Sequence, residues 1–290
     1  MKIFISGASG LVGGNCLQHF AAQGHLVLGT YLSYPVQNTY YFNTLKLHDE
    51  INIDIHSFQP DVIVHCGALT HVDYCETHQE ESYQKTVQST INMIALANEL
   101  KAKLVYISTD YVFDGNDGPY NEADQVNPLS VYGKHKLQAE EAVLSSHPYN
   151  LVLRVTNVYG NEKRNKNFVS RLIEQCLAGD KLLLRLPIDQ YATPVNAWDI
   201  ARAMLLLLEV GESGVFHIAS NEYLNRVELA SLVLAQFPQA KYEIQEMTTS
   251  GMQQAAPRPL KGGLKNDKFI NRFPSFKFSK VDEFVSSFAK

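Results

Sequence analysis

The sequence lacks long apolar runs and an excess of positive charge. No stretch of about 18 apolar residues is present, so we expect no membrane-spanning helix and no membrane partner. The 25 Lys and Arg residues are outnumbered by 30 Asp and Glu residues, which argues against a surface that follows nucleic-acid phosphates. The N-terminal apolar run is interrupted at Gly7, so we expect no secretory leader and predict a cytoplasmic location.

Cysteine is also scarce, with four residues in 290, and no two of them form a Cys-x-x-Cys pair. His65 and His71 lie near Cys66 and Cys75, but this spacing matches no structural zinc site. The sequence therefore predicts no metal centre, and its cysteines are typical of reduced thiols.

Apolar runs alternate with helical patterns along the first half of the chain. Runs such as residues 2–6 and 104–108 are apolar almost throughout, which is typical of strands buried on both faces. This alternation predicts an α/β fold with a Rossmann-like, doubly wound parallel sheet. We expect residues 1–160 to form the dinucleotide-binding domain, which the chain rejoins near residues 190–220. Residues 161–290 would form mainly a smaller C-terminal substrate-binding lobe.

The first apolar run leads directly into a glycine motif. Residues 7–13 read Gly-Ala-Ser-Gly-Leu-Val-Gly, and a helical pattern follows them. Glycines allow a tight turn and let backbone N–H groups approach a diphosphate, which a helix N-terminus then stabilises. A glycine triplet between a strand and a helix is the context that indicates dinucleotide binding. The residues predicted to contact the cofactor here are Gly7, Ser9, Gly10, Leu11, Val12 and Gly13.

The second predicted strand, residues 25–31, ends without an acidic side chain. In NAD-binding proteins an acidic residue at this point usually accepts the ribose 2′-OH. Its absence removes repulsion against a 2′-phosphate and leaves the hydroxyl of Thr30 to meet it, although no Arg is nearby in the sequence. The pattern favours NADP, with NAD as the alternative.

A hydroxyl and a Tyr–Lys pair follow in the middle of the chain. Thr109 comes at the carboxyl end of an apolar run, where ligands bind in open α/β sheets. Tyr132 and Lys136 are four residues apart, on one face of a predicted helix at 130–145. A nearby ammonium would lower the pKa of the phenol, so that Tyr132 could protonate a carbonyl oxygen held by Thr109. We predict that these three residues are catalytic in a ketone reductase.

These motifs together resemble a known family. The glycine turn, STDYVFDG at 108–115, VYGKHK at 131–136 and DQYATP at 189–194 are similar to extended short-chain dehydrogenase/reductases, and within them to the dTDP-4-dehydrorhamnose reductase branch. The resemblance covers roughly residues 1–269. It implies NADPH-dependent reduction of the 4-keto group of a nucleotide-activated deoxysugar.

The same resemblance assigns further contacts. It implies that Tyr132 and Lys136 also contact the cofactor, and it implies substrate contact for residues near the sugar and the nucleotide. Asn157 stands where the family often has Trp, so the identity of the sugar is left open. The additional residues implied are Cys66, Gly67 and Ala68 for the cofactor, and Asp110, Tyr111, Asn157 and Arg258 for the substrate.

Two other functions stay open. The regulatory β subunit of methionine adenosyltransferase resembles the same central stretch and acts by docking on an enzyme, although an intact DQYATP favours the reductase. A nucleotide-sugar epimerase or dehydratase would keep NAD bound, but dehydratases usually carry an acidic pair where this chain has Asp110 and Tyr111. The predicted partner is a small nucleotide sugar, with a homodimer left open and no nucleic acid expected.

Overall fold

A parallel sheet forms the centre of the protein in the computed structural model, which describes residues 1–47, 53–179 and 181–289. The strands in chain order are β1 (Lys2–Ser6), β2 (Leu26–Tyr31), β3 (Thr39–Tyr41), β4 (Val62–His65), β5 (Lys103–Thr109), β6 (Leu151–Val155), β7 (Leu182–Pro187), β8 (Tyr191–Ala192), β9 (Gly214–Ile218), β10 (Leu224–Asn225) and β11 (Tyr242–Met247).

The order in the main sheet is β3-β2-β1-β4-β5-β6-β9, and within the described residues each neighbouring pair is parallel. This order confirms the Rossmann-like, doubly wound α/β fold. The chain reverses its direction of travel across the sheet between β1 and β4. A crevice for ligands is therefore expected at the carboxyl ends of these two strands.

Helices cover both faces of the sheet. They are α1 (Leu11–Ala22), α2 (Ile55–Phe58), α3 (Val72–Thr77), α4 (Gln79–Tyr83), α5 (Ser89–Leu100), α6 (Val131–Ser146), α7 (Phe168–Ala178), α8 (Ala197–Glu209), α9 (Arg226–Leu234), α10 (Asp267–Arg272) and α11 (Val281–Ser286). A π-helical turn, Gln84–Gln88, joins α4 to α5, and 3₁₀ turns occupy Asp110–Val112 and Thr249–Met252.

Two apolar layers sandwich the main sheet. On one face, α1 and α8 pack together and contribute fully buried side chains such as Phe20 and Met204. On the other face, α5 and α6 contribute Met93 and Val143 to a separate layer. The strands between these layers are buried on both sides, which explains their nearly continuous apolar sequences.

A second core forms after β6. Tyr159 and residues of α7, α9 and α11 pack beside the two-stranded parallel sheet of β7 and β11. Between these segments, α8 and β9 return to the main sheet. Phe269 and Phe276 also return to the core layer beneath α1 and α8. The division of the chain at residue 160 into domain and lobe stays a prediction. Among the described residues, none of the helices is long and apolar enough to cross a membrane.

Candidate active site

The end of β1 folds into the glycine turn. Gly7 has a φ of +80°, in the left-handed region that favours glycine, and its carbonyl accepts a hydrogen bond from the Gly10 N–H at 3.0 Å. A Cβ on Gly13 would lie 2.9 Å from the carbonyl carbon of Gly7 and closer still to its oxygen. Glycine at 13 therefore lets α1 lie directly against the turn. The first N–H groups of this helix have no partner inside the helix.

Tyr132 is positioned by a close contact between α6 and the segment after β5. Ser130 caps the helix by accepting a hydrogen bond from the Gly133 N–H at 3.2 Å. A Cβ on Gly133 would overlap the carbonyl oxygen of Tyr111, so glycine allows the first turn of α6 to rest on that backbone. The rings of Tyr111 and Tyr132 consequently meet edge to face, with their centroids 5.6 Å apart.

Burial controls the protonation of Tyr132. Desolvation, the largest cause, raises the pKa of its phenol above the ordinary value, and the side chain of Thr109 acts in the opposite direction. The Lys136 ammonium donates to the carbonyl oxygen of Ile107 and lies 4.1 Å from the centroid of the Tyr106 ring. The expectation that Lys136 brings the pKa of Tyr132 down is wrong for this arrangement, because desolvation dominates.

Lys136 is itself a perturbed group. Its side chain is buried, and desolvation lowers the pKa of its ammonium to about 7, while Glu140 acts to raise it. A group with this pKa exchanges protons readily at neutral pH. The sequence predicted the position of Lys136 beside Tyr132 but not this change in its own acidity.

Asp110 ties the ends of two strands to a distant segment. Its buried carboxylate accepts hydrogen bonds from the Thr156 hydroxyl at 2.6 Å, the Gly263 N–H at 3.2 Å and the Thr109 hydroxyl at 3.2 Å. Burial raises the pKa of this carboxyl, and these three bonds act to lower it. Thr109 in turn accepts from the Tyr111 N–H at 3.2 Å. The network fixes the orientation of the strand-end hydroxyl.

A cavity of about 500 Å³ at the carboxyl ends of the strands brings most of the predicted site residues together. A smaller cavity of about 190 Å³ shares Gly7 and Ala68 with it and is also lined by Gly67, Leu32 and residues 42–45. The predicted residues that line the larger cavity are Gly7, Gly10, Leu11, Val12, Gly13, Cys66, Ala68, Thr109, Asp110, Tyr111, Tyr132, Lys136 and Asn157.

Three predicted residues do not line either cavity. Ser9 lies in the glycine turn, half-buried, but outside the lining of both cavities. Thr30 is buried, and its hydroxyl donates to the carbonyl of Ile5 on β1 at 3.1 Å. The prediction that Thr30 meets a cofactor phosphate is therefore corrected, because its hydroxyl is hydrogen-bonded to the backbone of the neighbouring strand. Arg258 lies nearby, where its guanidinium donates to Asp73 at 2.6 Å.

Several functional candidates were missed because distant segments supply them. Arg226, at the start of α9, donates to the side-chain carbonyl of Asn157 at 3.2 Å. A loop at 161–167 contributes four further side chains to the cavity wall, and no short motif in the sequence marks them. The signal that was available is the density of cations and amides in that loop, which reads Asn-Glu-Lys-Arg-Asn-Lys-Asn. The lining residues of the loop are Glu162, Arg164, Lys166 and Asn167.

The residues present fit a nicotinamide dinucleotide. Gly7, Gly10 and Gly13 line the cavity at the N-terminus of α1, and glycine at position 13 lets this helix lie close to the backbone of Gly7. Ser108 lines the same cavity, and its hydroxyl is buried without a hydrogen-bond partner in the described part of the chain. A buried polar atom of this kind indicates a ligand that completes its hydrogen bonding. The described residues contain no group of three or more His, Cys, Asp or Glu side chains suited to a metal ion.

Comparison with known proteins decides the family. The sequence profile of the RmlD substrate binding domain matches residues 1–287. This chain belongs to that family. Among curated relatives of this RmlD-family chain, a probable low-salt glycan biosynthesis reductase, Agl14, from Haloferax volcanii is 34% identical over 233 residues, which cover 76% of the chain and 75% of the relative.

Two further proteins are similar to this RmlD-family chain. Methionine adenosyltransferase 2 subunit beta from Bos taurus is 31% identical over 255 residues, which cover 86% of the chain and 76% of the relative. A crystal structure of a dTDP-4-dehydrorhamnose reductase from Clostridium acetobutylicum is similar with a TM-score of 0.84 at 27% identity, over 99% of this chain and 98% of that one. Both resemblances seen in the sequence are therefore confirmed.

The DQYATP segment of this RmlD-family chain is hydrogen-bonded to residues in and near the turn at Thr249–Met252. The carboxylate of Asp189 accepts hydrogen bonds from the Thr249 N–H at 2.9 Å and the Thr249 hydroxyl at 2.6 Å. Gln190 donates to Thr249 at 3.0 Å and to Gln254 at 2.8 Å. These contacts lie outside the lining of the larger cavity. Asp189 and Gln190 therefore have a structural role, and an intact DQYATP distinguishes a reductase from a docking subunit less sharply than the sequence suggested.

Proposed function

We propose that this protein is an NAD(P)H-dependent reductase that converts the 4-keto group of a nucleotide-activated deoxysugar into a hydroxyl group. One observation carries the proposal: Thr109, Tyr132 and Lys136 line the same cavity as the glycine turn. A diphosphate on the turn and a carbonyl beside Tyr132 would therefore share one concave site. The missing acid at the end of β2 favours NADPH over NADH.

The cofactor would be held by backbone groups. The N–H groups of residues 7–13 and the N-terminus of α1 would bind its diphosphate, and Ala68 would contact it from the end of β4. When bound, the nicotinamide supplies a hydride to the carbonyl carbon. The side chains of this protein must then hold the sugar and deliver a proton to the carbonyl oxygen.

Tyr132 is suited to deliver that proton. Burial raises the pKa of its phenol, so the group stays protonated at neutral pH and can act as a general acid. Thr109 has its hydroxyl beside the phenol and would hold the same carbonyl oxygen by turning towards it the proton that it donates to Asp110 in the absence of substrate. Lys136, whose pKa is lowered to about 7, would return a proton to the phenolate after each turnover.

Two guanidinium groups close to Tyr111 suit a nucleotide diphosphate. Arg226 interacts electrostatically with Tyr111 and Asp110, and burial lowers the pKa of its guanidinium. Arg258 is also close enough to influence Tyr111, and one of its terminal nitrogens, Nη1, is buried without a partner in the described residues. Guanidinium groups match the geometry of phosphate oxygens. We propose that both arginines bind the substrate, with Asn157 beside them.

The direct test incubates the purified chain with NADPH and a panel of dTDP-4-keto sugars. Oxidation of NADPH, followed at 340 nm, with formation of the dTDP-deoxysugar is the expected result. NADH in parallel measures cofactor preference. Absence of oxidation with every sugar would contradict the proposal. Tightly bound NAD that does not exchange would instead favour an epimerase or dehydratase.

A second candidate function is docking on an enzyme as a non-catalytic subunit. The observation in its favour is the 31% identity to methionine adenosyltransferase 2 subunit beta over 86% of this chain. A tagged form of the chain, recovered from its native cell, would carry a synthetase with it if docking is its role. Recovery of a synthetase together with no NADPH oxidation would support docking and contradict the reductase.

A further inference from the structure

A basic loop lies against α1, the helix that follows the glycine turn. Its first residue, Asn161, accepts a hydrogen bond through its carbonyl from the side chain of Asn15 on α1 at 3.2 Å. Its last residue, Asn167, caps α7 by accepting from the Ser170 N–H at 2.9 Å and donates to the Gly160 carbonyl at 3.0 Å. We call residues 161–167 the basic loop. Because both of its ends are anchored, the positions of its side chains relative to α1 are defined.

Arg164 extends from this loop towards the end of β2. Its guanidinium carbon lies 5.3 Å from the centroid of the Tyr34 ring. Tyr34 comes three residues after Tyr31, the last residue of β2. Arg164 also lines the larger cavity together with Gly10 and Leu11 of the glycine turn. One arginine therefore spans from the diphosphate turn to the segment that follows the second strand.

The surroundings leave Arg164 available to an anion. Its Nε atom is buried and has no hydrogen-bond partner among the residues that the structure describes. The acid closest to it in the sequence, Glu162, accepts hydrogen bonds at Oε1 from the Asn167 N–H at 2.7 Å and the Asn167 side-chain amide at 3.0 Å, and forms no ion pair with Arg164 within the described residues. The segment 32–36 after β2 reads Leu-Ser-Tyr-Pro-Val and contains no acid. The segment after β2 would therefore present no repelling carboxylate to a dianionic group, and the one acid of the basic loop, Glu162, is hydrogen-bonded to Asn167.

The position after the second strand decides between the two nicotinamide dinucleotides. NAD has a 2′-OH there, usually bound by an acid, and NADP has a 2′-phosphate, usually bound by a nearby Arg. The sequence around β2 contains neither an acid nor an Arg, and the structure brings Arg164 to this place from a loop about 130 residues later in the chain. Guanidinium groups bind phosphate through two parallel hydrogen bonds, one of which can use Nε.

We propose that Arg164 binds the 2′-phosphate of NADP and sets the preference for NADP over NAD. This inference rests on the proposed function, since it requires a nicotinamide dinucleotide on the glycine turn. The basic loop would thus supply the arginine that the sequence around β2 lacks. Tyr34 would hold the Arg164 guanidinium in place by stacking on it. Lys166, which also lines the cavity but is exposed, would add positive charge without the planar geometry.

The experiment measures binding by calorimetry, without turnover. Wild type, Arg164→Gln and Arg164→Lys are titrated with 2′,5′-ADP and with 5′-AMP, which lacks the 2′-phosphate, and then with NADPH and NADH. The matched control is Lys163→Gln, because Lys163 is exposed and does not line the cavity. Melting temperatures of all four proteins check that the fold is retained.

We expect Arg164→Gln to weaken the binding of 2′,5′-ADP and NADPH roughly tenfold to a hundredfold, the range for one lost charge-assisted pair. Binding of 5′-AMP and NADH should stay within about twofold, Arg164→Lys should fall between, and Lys163→Gln should match wild type. Equal losses for NADPH and NADH would overturn the inference and indicate a diphosphate contact. Unchanged binding in Arg164→Gln would overturn it outright. A wild-type chain that binds neither dinucleotide would contradict the proposed function itself, and this inference with it.

Discussion

The carboxylate of Asp73, in the first turn of α3, accepts a hydrogen bond from the guanidinium of Arg258 at 2.6 Å, across 185 positions of the chain. The same carboxylate accepts from the Ala256 N–H at 3.0 Å. The Arg258 side chain is only 8% exposed, so the pair holds the 256–258 segment against α3, close to Tyr111. This contact aims one buried arginine at the proposed substrate side of the cavity.

Asp73→Asn should weaken substrate binding without affecting the cofactor. The amide keeps the size of the side chain but removes the charge that holds Arg258, so the KM for the nucleotide sugar should rise about tenfold. The dissociation constant of NADPH should stay within about twofold. Steady-state kinetics and a separate NADPH titration measure the two effects. The exposed carboxylate Glu174→Gln is the control and should behave as wild type. An unchanged KM in Asp73→Asn would contradict the role given to this pair.

Gly13→Ala should disrupt cofactor binding, because the added Cβ would collide with the backbone of Gly7. We expect NADPH affinity to fall at least about tenfold, since the turn must open to relieve the collision. The neighbouring Gly14→Ala is a matched control: its Cβ would lie 3.2 Å from the Ala8 carbonyl oxygen, which requires only a small shift. NADPH titrations should separate the two variants. Equal affinities would show that the turn does not hold the cofactor.

Two buried histidines should make the protein less stable in acid. Burial lowers the pKa of both His65 and His217 to about 3, whereas an unfolded chain protonates its imidazoles near 6.5. For His217, desolvation lowers the pKa most, and Arg154, whose Nη1 donates to Nε2 at 3.4 Å, acts in the same direction. The Tyr120 carbonyl, which accepts from Nδ1 at 3.1 Å, acts to raise this pKa but is outweighed. Between about pH 6.5 and 3 the unfolded state therefore binds protons that the folded state does not.

The free energy of unfolding should accordingly fall as the pH falls through this window, by about 1 kcal/mol per pH unit for each histidine. Urea denaturation at pH 7.5 and 5.5 measures the drop. The drop should be smaller in His217→Asn than in wild type, whatever the stability of this variant at pH 7.5. His56→Asn, at an exposed position, should show the wild-type drop. If the free energy of unfolding of His217→Asn drops as much between pH 7.5 and 5.5 as that of wild type, then His217 takes up no proton on unfolding and this account of it is wrong.

Local sequence determined much of the fold. The near-continuous apolar run at 151–155 is β6, and a predicted helix at 130–145 is observed as α6 from Val131 to Ser146. These elements could be predicted because the features that determine them lie within a few residues of each other. The features are a continuous apolar run for β6 and a Ser at the start of the helix for α6. The π-helical turn at Gln84–Gln88 and the late return of Phe269 to the main core carry no local signal and were not predicted.

The candidate site likewise contains residues that local sequence could predict and residues that it could not. The glycine turn and the Thr109, Tyr132 and Lys136 set lie in continuous motifs, and the structure brings them to one cavity as expected. The role predicted for Thr30 was wrong because the orientation of its side chain depends on the register of β2 against β1. In that register the Thr30 hydroxyl donates a hydrogen bond to the Ile5 carbonyl. Arg164 was missed because its relation to β2 is set by packing between segments that are far apart in the chain.

The role of Tyr132 is the centre of this account, and a single-turnover measurement tests it most directly. Tyr132→Phe removes the phenolic proton and keeps the ring that packs against Tyr111. With NADPH and the best dTDP-4-keto sugar, its rate of NADPH oxidation should be slower than that of wild type by roughly a hundredfold to ten-thousandfold, the range for a lost general acid, while the affinity for NADPH stays within about twofold. A Tyr132→Phe variant that oxidises NADPH as fast as wild type would contradict the account.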